Sequence, residues 1–332
     1  MTSKIVVIPQ ENYGLVVNIS EANYIEELSK IDIPYESVSK VINNNQIVTL
    51  DKNNNQLLVH NLTGQLENTI DTKLEKSYTI NARGSVVYIG GASQEKEKCF
   101  FIDISNKHLQ IQALKLPKFM ALDKAIDDIV FLDNKMYLVD NIVLPKYTFE
   151  YNISEPASPV LTRTINLDYY ETWGDIKKAQ VNEKWMVYLA TSINGYTGRS
   201  SQIFTDNSEK KIYFKTYNLI KFDSEFYYKD IYLVDDTLYV LTLLGLGYFD
   251  LTSDELSSDD IVFIQHTIVA DRIIPIDKKS LILLNKHSFE LLDLENFETL
   301  TNDVIDKRRD RHRVESEKIF MARVKGPKKS RV

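Results

Sequence analysis

The sequence has only one cysteine, Cys99, among its 332 residues, so no disulfide can form within the chain. This composition is typical of a reducing compartment, and we expect a cytoplasmic protein. No apolar run reaches the roughly 18 residues that a membrane-spanning helix needs. The first residues contain no apolar stretch of signal-peptide length, because the polar and proline residues at 9–12 interrupt it. The sequence therefore predicts neither a membrane span nor a secretory leader.

The sequence also lacks the linear motifs of common catalytic and metal sites. Its five histidines are scattered and none pairs with another at ligand spacing, so we expect no metal site. No glycine-rich phosphate loop follows a strand and no Gly-x-Ser-x-Gly elbow is present, so the sequence predicts no cofactor and no catalytic residue. Three acidic pairs are expected in turns or in solvent: Asp127-Asp128, Asp235-Asp236 and Asp259-Asp260.

Glycine is scarce, with 11 residues, whereas aromatic residues make up 11% of the chain and include 19 tyrosines. Aromatic side chains are typical of strands because they fit a pleated, half-buried surface. The net charge of −7 is unevenly distributed. Residues 303–332 hold 11 Lys/Arg against 5 Asp/Glu, and the remaining residues hold 29 against 42. An acidic body argues against a nucleic-acid surface there, because phosphate neutralisation dominates such binding.

A short signature recurs seven times: an apolar or aromatic residue or His, then Asn or Asp, then Ile or Leu. The polar residues lie 43, 42, 49, 66, 32 and 43 positions apart, a spacing typical of propeller blades. Their side chains can bond to the backbone of a following turn, which is the role we expect. The seven occurrences are Val17-Asn18-Ile19, His60-Asn61-Leu62, Ile102-Asp103-Ile104, Tyr151-Asn152-Ile153, Tyr217-Asn218-Leu219, Phe249-Asp250-Leu251 and Leu292-Asp293-Leu294.

The clearest unit spans residues 126–167. Strands are predicted at 126–132, 136–139, 147–153 and 160–167, with turn residues between them, which makes one four-stranded antiparallel blade. Apolar residues on both faces of these strands favour stacked blades over a simple sandwich. The sequence therefore predicts an all-β fold, a seven-bladed β-propeller over residues 1–302, followed by a basic C-terminal segment at 303–332.

The first blade is predicted to have three strands, at 4–8, 15–19 and 24–31. We expect residues 318–324 of the C-terminal segment to supply its fourth strand, so that the two termini close the ring and remove an exposed sheet edge.

The unit at 126–167 resembles the LVIVD-repeat propellers. The matching residues are Tyr137-Leu138-Val139-Asp140, Asn152-Ile153-Ser154 and Pro156-Ala157-Ser158-Pro159-Val160. The Gly-His and Trp-Asp pairs of WD-repeat propellers are absent. The resemblance implies a propeller fold and interaction roles, and it carries over no catalytic residue.

Two aromatic clusters precede successive predicted first strands, so their loops are expected on one face of the ring. Tyrosine and tryptophan bury a large area while keeping a polar tip, which is typical of interaction hot spots. We therefore predict a protein–protein interaction scaffold whose protein partner binds this face. The predicted partner-binding residues are Tyr169, Tyr170, Trp173, Phe226, Tyr227 and Tyr228.

Two polar stretches are further candidates. Residues 192–211 are predicted to be a long loop that either assists recognition or is a mobile spacer without a partner. The basic C-terminal stretch could contact an anion, an acidic protein or nucleic acid, although no aromatic residue interleaves it for base stacking. Its candidate contact residues are Lys307, Arg308, Arg309, Arg311 and Arg313.

Two alternatives to the scaffold stay open. A propeller enzyme, a hydrolase or lyase, could assemble its site from distant blades around the central channel. Acidic and histidine side chains gathered around that channel would favour the enzyme. An adaptor could instead reach nucleic acid through the C-terminal segment, and its binding would then depend strongly on salt.

Overall fold

The computed structural model describes residues 4–311 apart from gaps at 21–23, 95–96, 107, 118–124, 141–146, 167–175, 195–197, 206–212, 216–227, 254–255, 257–259, 302–303 and 309. The described chain is almost entirely β-strand. One helical segment covers 304–308 and 310–311. The structure contains no helix, among the residues described, that is long and apolar enough to cross a membrane.

The strands of these described ranges form seven antiparallel sheets. The first sheet comprises β1 Lys4–Pro9, β2 Gly14–Ile19 and β3 Ile25–Ile31. The second comprises β4 Val38–Ile42, β5 Gln46–Asp51, β6 Gln56–Asn61 and β7 Leu66–Asp71. The third comprises β8 Lys76–Arg83, β9 Val86–Ala92, β10 Cys99–Asp103 and β11 Gln112–Ala113. The fourth sheet comprises β12 Ile126–Leu132, β13 Lys135–Asp140, β14 Tyr147–Asn152 and β15 Val160–Asn166, and the fifth comprises β16 Ile176–Val181, β17 Met186–Asn194, β18 Gly198–Thr205 and β19 Tyr213–Lys215. The sixth comprises β20 Asp230–Val234, β21 Thr237–Leu241, β22 Leu246–Asp250 and β23 Val262–Phe263. The seventh comprises β24 Arg272–Asp277, β25 Ser280–Leu284 and β26 Phe289–Asp293.

The predicted strands of the 126–167 unit are confirmed as the fourth sheet, with bounds that agree to within a residue or two. The turn between β12 and β13 places Asp133 at a positive φ of 48°, a conformation that Asp and Asn tolerate better than bulkier residues. Asp235, between β20 and β21, has the same conformation at 49°. Local turn chemistry therefore sets where these hairpins reverse.

The expected role of the signature residues is confirmed at the ends of five third strands, namely β6, β10, β14, β22 and β26. In each, the side-chain oxygen accepts a hydrogen bond from the backbone N–H two residues later, which closes the turn after the strand. These residues are Asn61, Asp103, Asn152, Asp250 and Asp293. Asn18 differs, because it lies inside β2 and its Nδ2 donates to Glu26 Oε2 instead. The occurrence at Tyr217-Asn218-Leu219 lies outside the described residues.

Seven apolar clusters hold the sheets together, and each joins two successive sheets. Leu138 and Tyr88, for example, join the third and fourth sheets and are fully buried. Full burial of one large apolar side chain contributes roughly 1.5–3 kcal/mol. Each sheet therefore packs apolar residues against a neighbouring sheet on both of its faces, and it depends on both neighbours for its stability.

The first strands of the sheets form a closed inner ring. Each of β1, β4, β8, β12, β16, β20 and β24 contacts the next, and β24 contacts β1. Ile282 and Leu284 of β25 pack with Ile8 and Val17 of the first sheet across the closing interface. This arrangement is a β-propeller, as predicted. The expected closing strand at 318–324 lies outside the described residues.

The prediction of a loop at 192–211 needs correction. The 192–211 stretch is not simply a loop, because residues 192–194 extend β17 and residues 198–205 form β18. The two strands pair up to Asn194 and Gly198, so the insertion lengthens a hairpin. The described part of the C-terminal segment begins with the helical residues at 304–308. Ile305 packs against the cluster between the fifth and sixth sheets.

Candidate functional site

A cavity of about 660 Å³ lies where the inner strands of all seven sheets converge. Its wall includes residues 5–7 and 9 of β1, 38–41 of β4, 79–81 of β8, 127–130 of β12, 177, 178 and 180 of β16, 230 of β20 and 272–275 of β24. The cavity is therefore the central channel of the propeller, and it is a position that only the closed ring creates.

The wall of this channel is charged and carries more basic than acidic side chains. Its basic residues are Lys40, Lys52, Lys177, Lys178, Lys229 and Arg272, and its acidic residues are Asp127, Asp128, Asp230 and Asp271. This local excess of positive charge contrasts with the acidic composition of the body as a whole. A positive cavity in an acidic protein concentrates anions at that position.

Two of the acids join neighbouring inner strands. Asp128 of β12 accepts hydrogen bonds from its neighbour Ile129 N (2.9 Å) and from Ala179 N of β16 (2.7 Å). Asp230 of β20 likewise accepts from Ile231 N (2.8 Å) and from Ile273 N of β24 (2.7 Å). Both oxygens of each carboxylate are thus engaged by backbone groups. Burial nevertheless raises the pKa of Asp128, because desolvation of the carboxylate outweighs these bonds.

Several of the cations are already paired. Lys178 Nζ lies 2.6 Å from Asp230 Oδ1, and the two side chains are 24% and 11% exposed. Lys229 Nζ donates to Ala270 O (2.9 Å) and to Asp271 Oδ1 (3.2 Å). These contacts connect the fifth, sixth and seventh sheets, so part of the channel charge serves the ring itself.

Lys40 is different. It projects from the middle of β4, it is half-buried, and its ammonium group has no hydrogen-bond or ion-pair partner among the described residues. Burial lowers the pKa of Lys40, and the attraction of Asp128 does not offset this effect while Lys178 adds repulsion. An unpaired, partly desolvated ammonium group is costly in a folded protein. Lys40 therefore lacks a counter-charge that a bound anion would supply.

Lys52 and Arg272 extend this basic surface. Lys52, in the turn after β5, is exposed to the channel, yet the surrounding walls and the neighbouring Arg272 lower its pKa. Arg272 Nη1 donates to Tyr35 O (2.8 Å) and its guanidinium group lies 5.6 Å from the Tyr35 ring centre. The ring contact and one hydrogen bond hold the guanidinium in place, and this bond uses one of its five N–H donors.

The predicted aromatic face can be compared with the structure at one residue. Tyr228 is fully buried in the cluster between the fifth and sixth sheets, so its side chain belongs to the core and not to a contact surface. Tyr169, Tyr170, Trp173, Phe226 and Tyr227 lie outside the described residues, and the aromatic binding face stays a prediction.

The predicted basic contact residues separate into two groups. Lys307 and Arg311 are exposed, whereas Arg308 is half-buried and donates from Nη1 to Leu244 O (2.7 Å). Burial lowers the pKa of Arg308. This arginine therefore fastens the helical segment to the sixth sheet. Arg309 and Arg313 lie outside the described residues.

Sequence reasoning missed the channel lysines and misjudged one acidic pair. Asp235-Asp236 does form a turn, and Asp236 accepts from Lys184 Nζ and Trp185 Nε1. Asp127-Asp128 lies in the channel wall instead. No described histidine lines the channel, and the described residues contain no cluster of three potential metal ligands. The sequence signal that could have indicated the channel residues is the presence of charged residues in the first strand of successive units.

Comparison with known proteins supports the fold. No family model matches the sequence, and no curated protein matches it. Among solved structures, the periplasmic gluconolactonase of Pseudomonas aeruginosa aligns over 90% of this chain and 95% of its own, with a TM-score of 0.56 and 12% identity.

Two further structures are similar at the same level. Hsv2 of Kluyveromyces lactis has a TM-score of 0.51 and 9% identity over 89% of this chain and 98% of its own. A functionally unknown protein of Desulfotomaculum acetoxidans has a TM-score of 0.51 and 10% identity over 77% and 79%. Likeness at such low identity shows the propeller fold alone. The specific resemblance to LVIVD-repeat propellers has no family match behind it.

Proposed function

We propose that this protein is a binding propeller that holds a small polyanion, a phosphorylated or polycarboxylate compound, in its central channel. The observation that carries the proposal is Lys40, a half-buried cation in the channel wall that has no hydrogen-bond or ion-pair partner among the described residues. Lys52 and Arg272 supply two more cations on the same cavity. Charge-assisted hydrogen bonds from such groups contribute about 1.5–3 kcal/mol each.

The channel acids favour binding over catalysis. Asp128 and Asp230 each accept a hydrogen bond from a backbone N–H group of the neighbouring inner strand, so both carboxylates have a structural role in joining sheets. The enzyme alternative predicts acidic and histidine side chains together around the channel, whereas the described channel wall contains acidic residues without histidine. No observation therefore favours the hydrolase or lyase alternative.

Calorimetry with inorganic pyrophosphate, citrate and sulfate tests the proposal, with sodium chloride at matched ionic strength as the reference. We expect saturable binding of one of the polyanions and about a tenfold or greater loss of affinity in Lys40→Met, since one charged contact is removed. The matched control is Lys279→Met, which removes an exposed cation paired with Glu295. Equal affinities in Lys40→Met and the wild type would overturn the proposal.

Thermal unfolding without ligand separates binding from structure. Lys40→Met should unfold at the wild-type temperature or higher, because it removes an uncompensated charge. Lys178→Met should lose about 2 kcal/mol of stability, because it leaves Asp230 without its partner. If both variants are equally destabilised, Lys40 is a structural residue rather than a ligand contact.

We further propose that the seven sheets are seven blades and that the termini complete the ring.

Protein–protein contact through the aromatic segments remains a second proposal. The two segments directly precede β16 and β20 in the chain, and Lys177 and Lys229 at the starts of these strands line the channel. Affinity capture with Trp173→Ala/Tyr227→Ala beside the wild type tests it, and equal recovery of the same partner by both would reject it.

Two narrower predictions have no support from the structure. Nucleic-acid contact through the C-terminal segment would have to use exposed cations such as Lys307 and Arg311, because Arg308 is engaged with Leu244. A cytoplasmic location rests on the single cysteine, and one similar structure is a periplasmic enzyme.

A further inference from the structure

The charges of the central channel are confined to one of its ends. Every charged residue of the described wall lies at or before the third position of its inner strand, except Lys52, which lies in the turn after β5. That turn is at the same end, because Leu50 near the end of β5 pairs with Val38 at the start of β4. We call this the charged end of the channel. It contains the three cations proposed to bind the anion, Lys40, Lys52 and Arg272.

The opposite end of the channel has no charged side chain among the described residues. Its wall is formed by later residues of the inner strands and by β1, and most of these residues are apolar. Val6, Val41 and Ile274 are only half-buried, so apolar surface stays accessible in the cavity wall. We call this the uncharged end. Its apolar lining residues include Ile5, Val6, Val41, Val130, Ile274 and Pro275.

Gln180 supplies a polar group to the uncharged end. This half-buried residue of β16 lines the cavity, and its amide has no hydrogen-bond partner among the described residues. Asn81, in the same part of the wall, is satisfied, because its Nδ2 donates to Ile129 O (2.8 Å) and its Oδ1 accepts from Ala82 N (3.0 Å). The uncharged end therefore presents an apolar wall and an amide that can bind a ligand.

The cavity is larger than an inorganic anion needs. Residues 272–275 of β24 line it in succession, and four successive strand residues span about 10 Å. Its volume of about 660 Å³ lies within the range of pockets that bury a drug-sized molecule. An anion bound by Lys40, Lys52 and Arg272 occupies the charged end alone. The uncharged end is then available for the rest of the ligand.

We propose that the ligand is a phosphate monoester whose phosphate binds at the charged end and whose uncharged, largely apolar carbon skeleton lies along the uncharged end. This inference rests on the proposed function. A phosphate monoester carries a charge of about −1.5 to −2 and three acceptor oxygens, which match three cations on three different elements. A second anionic group at the uncharged end would be desolvated without a counter-charge, so the proposal excludes ligands that are charged at both ends.

Calorimetry with four ligands tests the proposal on the wild-type protein: inorganic phosphate, butyl phosphate, hexyl phosphate and hexane-1,6-diyl bisphosphate. We expect affinity to rise along the first three, with hexyl phosphate about tenfold or more tighter than inorganic phosphate, because each buried methylene group adds a favourable transfer free energy. The bisphosphate has the same skeleton with a phosphate at both ends, and it should bind more weakly than hexyl phosphate. Pyrophosphate should displace hexyl phosphate, since both use the charged end.

A pair of matched substitutions locates the carbon skeleton. Gln180→Glu places a carboxylate in the uncharged end with almost no change of side-chain shape, and Gln112→Glu makes the same change at an exposed position of β11. The quantity compared is the ratio of the affinities for hexyl phosphate and inorganic phosphate within each variant, because an effect on the phosphate group alone cancels in that ratio. Gln180→Glu should remove most of the gain from the hexyl chain, and Gln112→Glu should keep it.

Equal affinities for inorganic phosphate and hexyl phosphate would overturn this inference, as would tighter binding of the bisphosphate or an unchanged ratio in Gln180→Glu. If pyrophosphate or citrate still binds and Lys40→Met weakens that binding, the proposed function stands and only the ligand class is wrong. If none of the phosphates and no other polyanion binds, both proposals are wrong. Hexyl phosphate that binds Lys40→Met as tightly as the wild type would also overturn the inference, because its phosphate would then lie away from the charged end.

Discussion

At the residue scale, His60 shows how burial alone makes a side chain sensitive to pH. It lies in β6, it is 3% exposed, and its Nδ1 has no hydrogen-bond partner among the described residues. Burial lowers the pKa of His60, an effect larger than the opposing attraction of Asp32 and Glu67. The folded protein therefore holds this imidazole neutral at a pH where the unfolded chain already binds a proton.

The sign of the pH effect follows from that difference. Above about pH 6.5, the ordinary pKa of histidine, both states are neutral and stability is unaffected. Below it the unfolded state gains the proton first, so stability falls until the lower folded pKa is reached. We expect the wild type to lose about 1 kcal/mol more than His60→Gln between pH 7.5 and pH 5.5 in urea unfolding.

The control for this prediction is His287→Gln, since the side chain of His287 is 72% exposed. It should keep the wild-type loss of stability over the same pH interval. If His60→Gln shows the full wild-type loss, the acid sensitivity arises elsewhere, for which His266 is the next residue to test because burial also lowers its pKa.

The channel residues explain why sequence reasoning found the fold more easily than the site. Asn61 and Asp293 act within two residues of themselves, so their turn role is visible in the sequence. Lys40, by contrast, differs from a solvated strand lysine only by what stands around it, namely inner strands from six other sheets. Its role depends on ring closure, a long-range property that no local pattern encodes.

At the scale of elements, the turn between β21 and β22 fixes the C-terminal helical segment. Gly245 has a φ of 135°, and a Cβ there would lie 2.5 Å from His266 Nε2 and 2.9 Å from Arg308 Nη1. His266 Nε2 accepts from Leu246 N at 3.0 Å, so it has little freedom to move away. The turn thus needs glycine both for its backbone conformation and for space.

Gly245→Ala should therefore destabilise the protein by about 3 kcal/mol, the upper end of the usual cost of a strained backbone position. Gly84→Ala is the matched control. Its φ is 58° and no atom lies within 4 Å of the added carbon, so only about 1 kcal/mol is expected from the left-handed conformation. Urea unfolding compares the two, and equal costs would show that contact with His266 and Arg308 contributes nothing.

The strands of the fourth sheet were predictable because each ends at a turn with its own chemistry. The hairpin at 192–205 was not, since its polar composition is typical of a loop while backbone pairing continues to Asn194 and Gly198. Tyr228 was misjudged for a related reason. Aromatic residues serve surfaces and cores equally well, and only the packing between the fifth and sixth sheets decides between them.

At the scale of the whole molecule, stability depends on ring closure. Each of the seven apolar clusters lies between two successive sheets, so a sheet that lost one neighbour would expose a complete apolar face. Repeat proteins with open ends can unfold from those ends, because each repeat contacts only its neighbours. In a closed ring, the interface between the last and first sheets removes those ends.

Two matched leucine substitutions test whether the closing interface is equivalent to an internal one. Leu284 and Leu138 are both fully buried, the first between the seventh and first sheets and the second between the third and fourth. Each substitution to alanine should cost about 3 kcal/mol, and each variant should unfold in one transition with the wild-type dependence on urea. A ring that is closed only weakly would behave differently, because Leu284→Ala would then release the first sheet in a separate, earlier transition while Leu138→Ala would not.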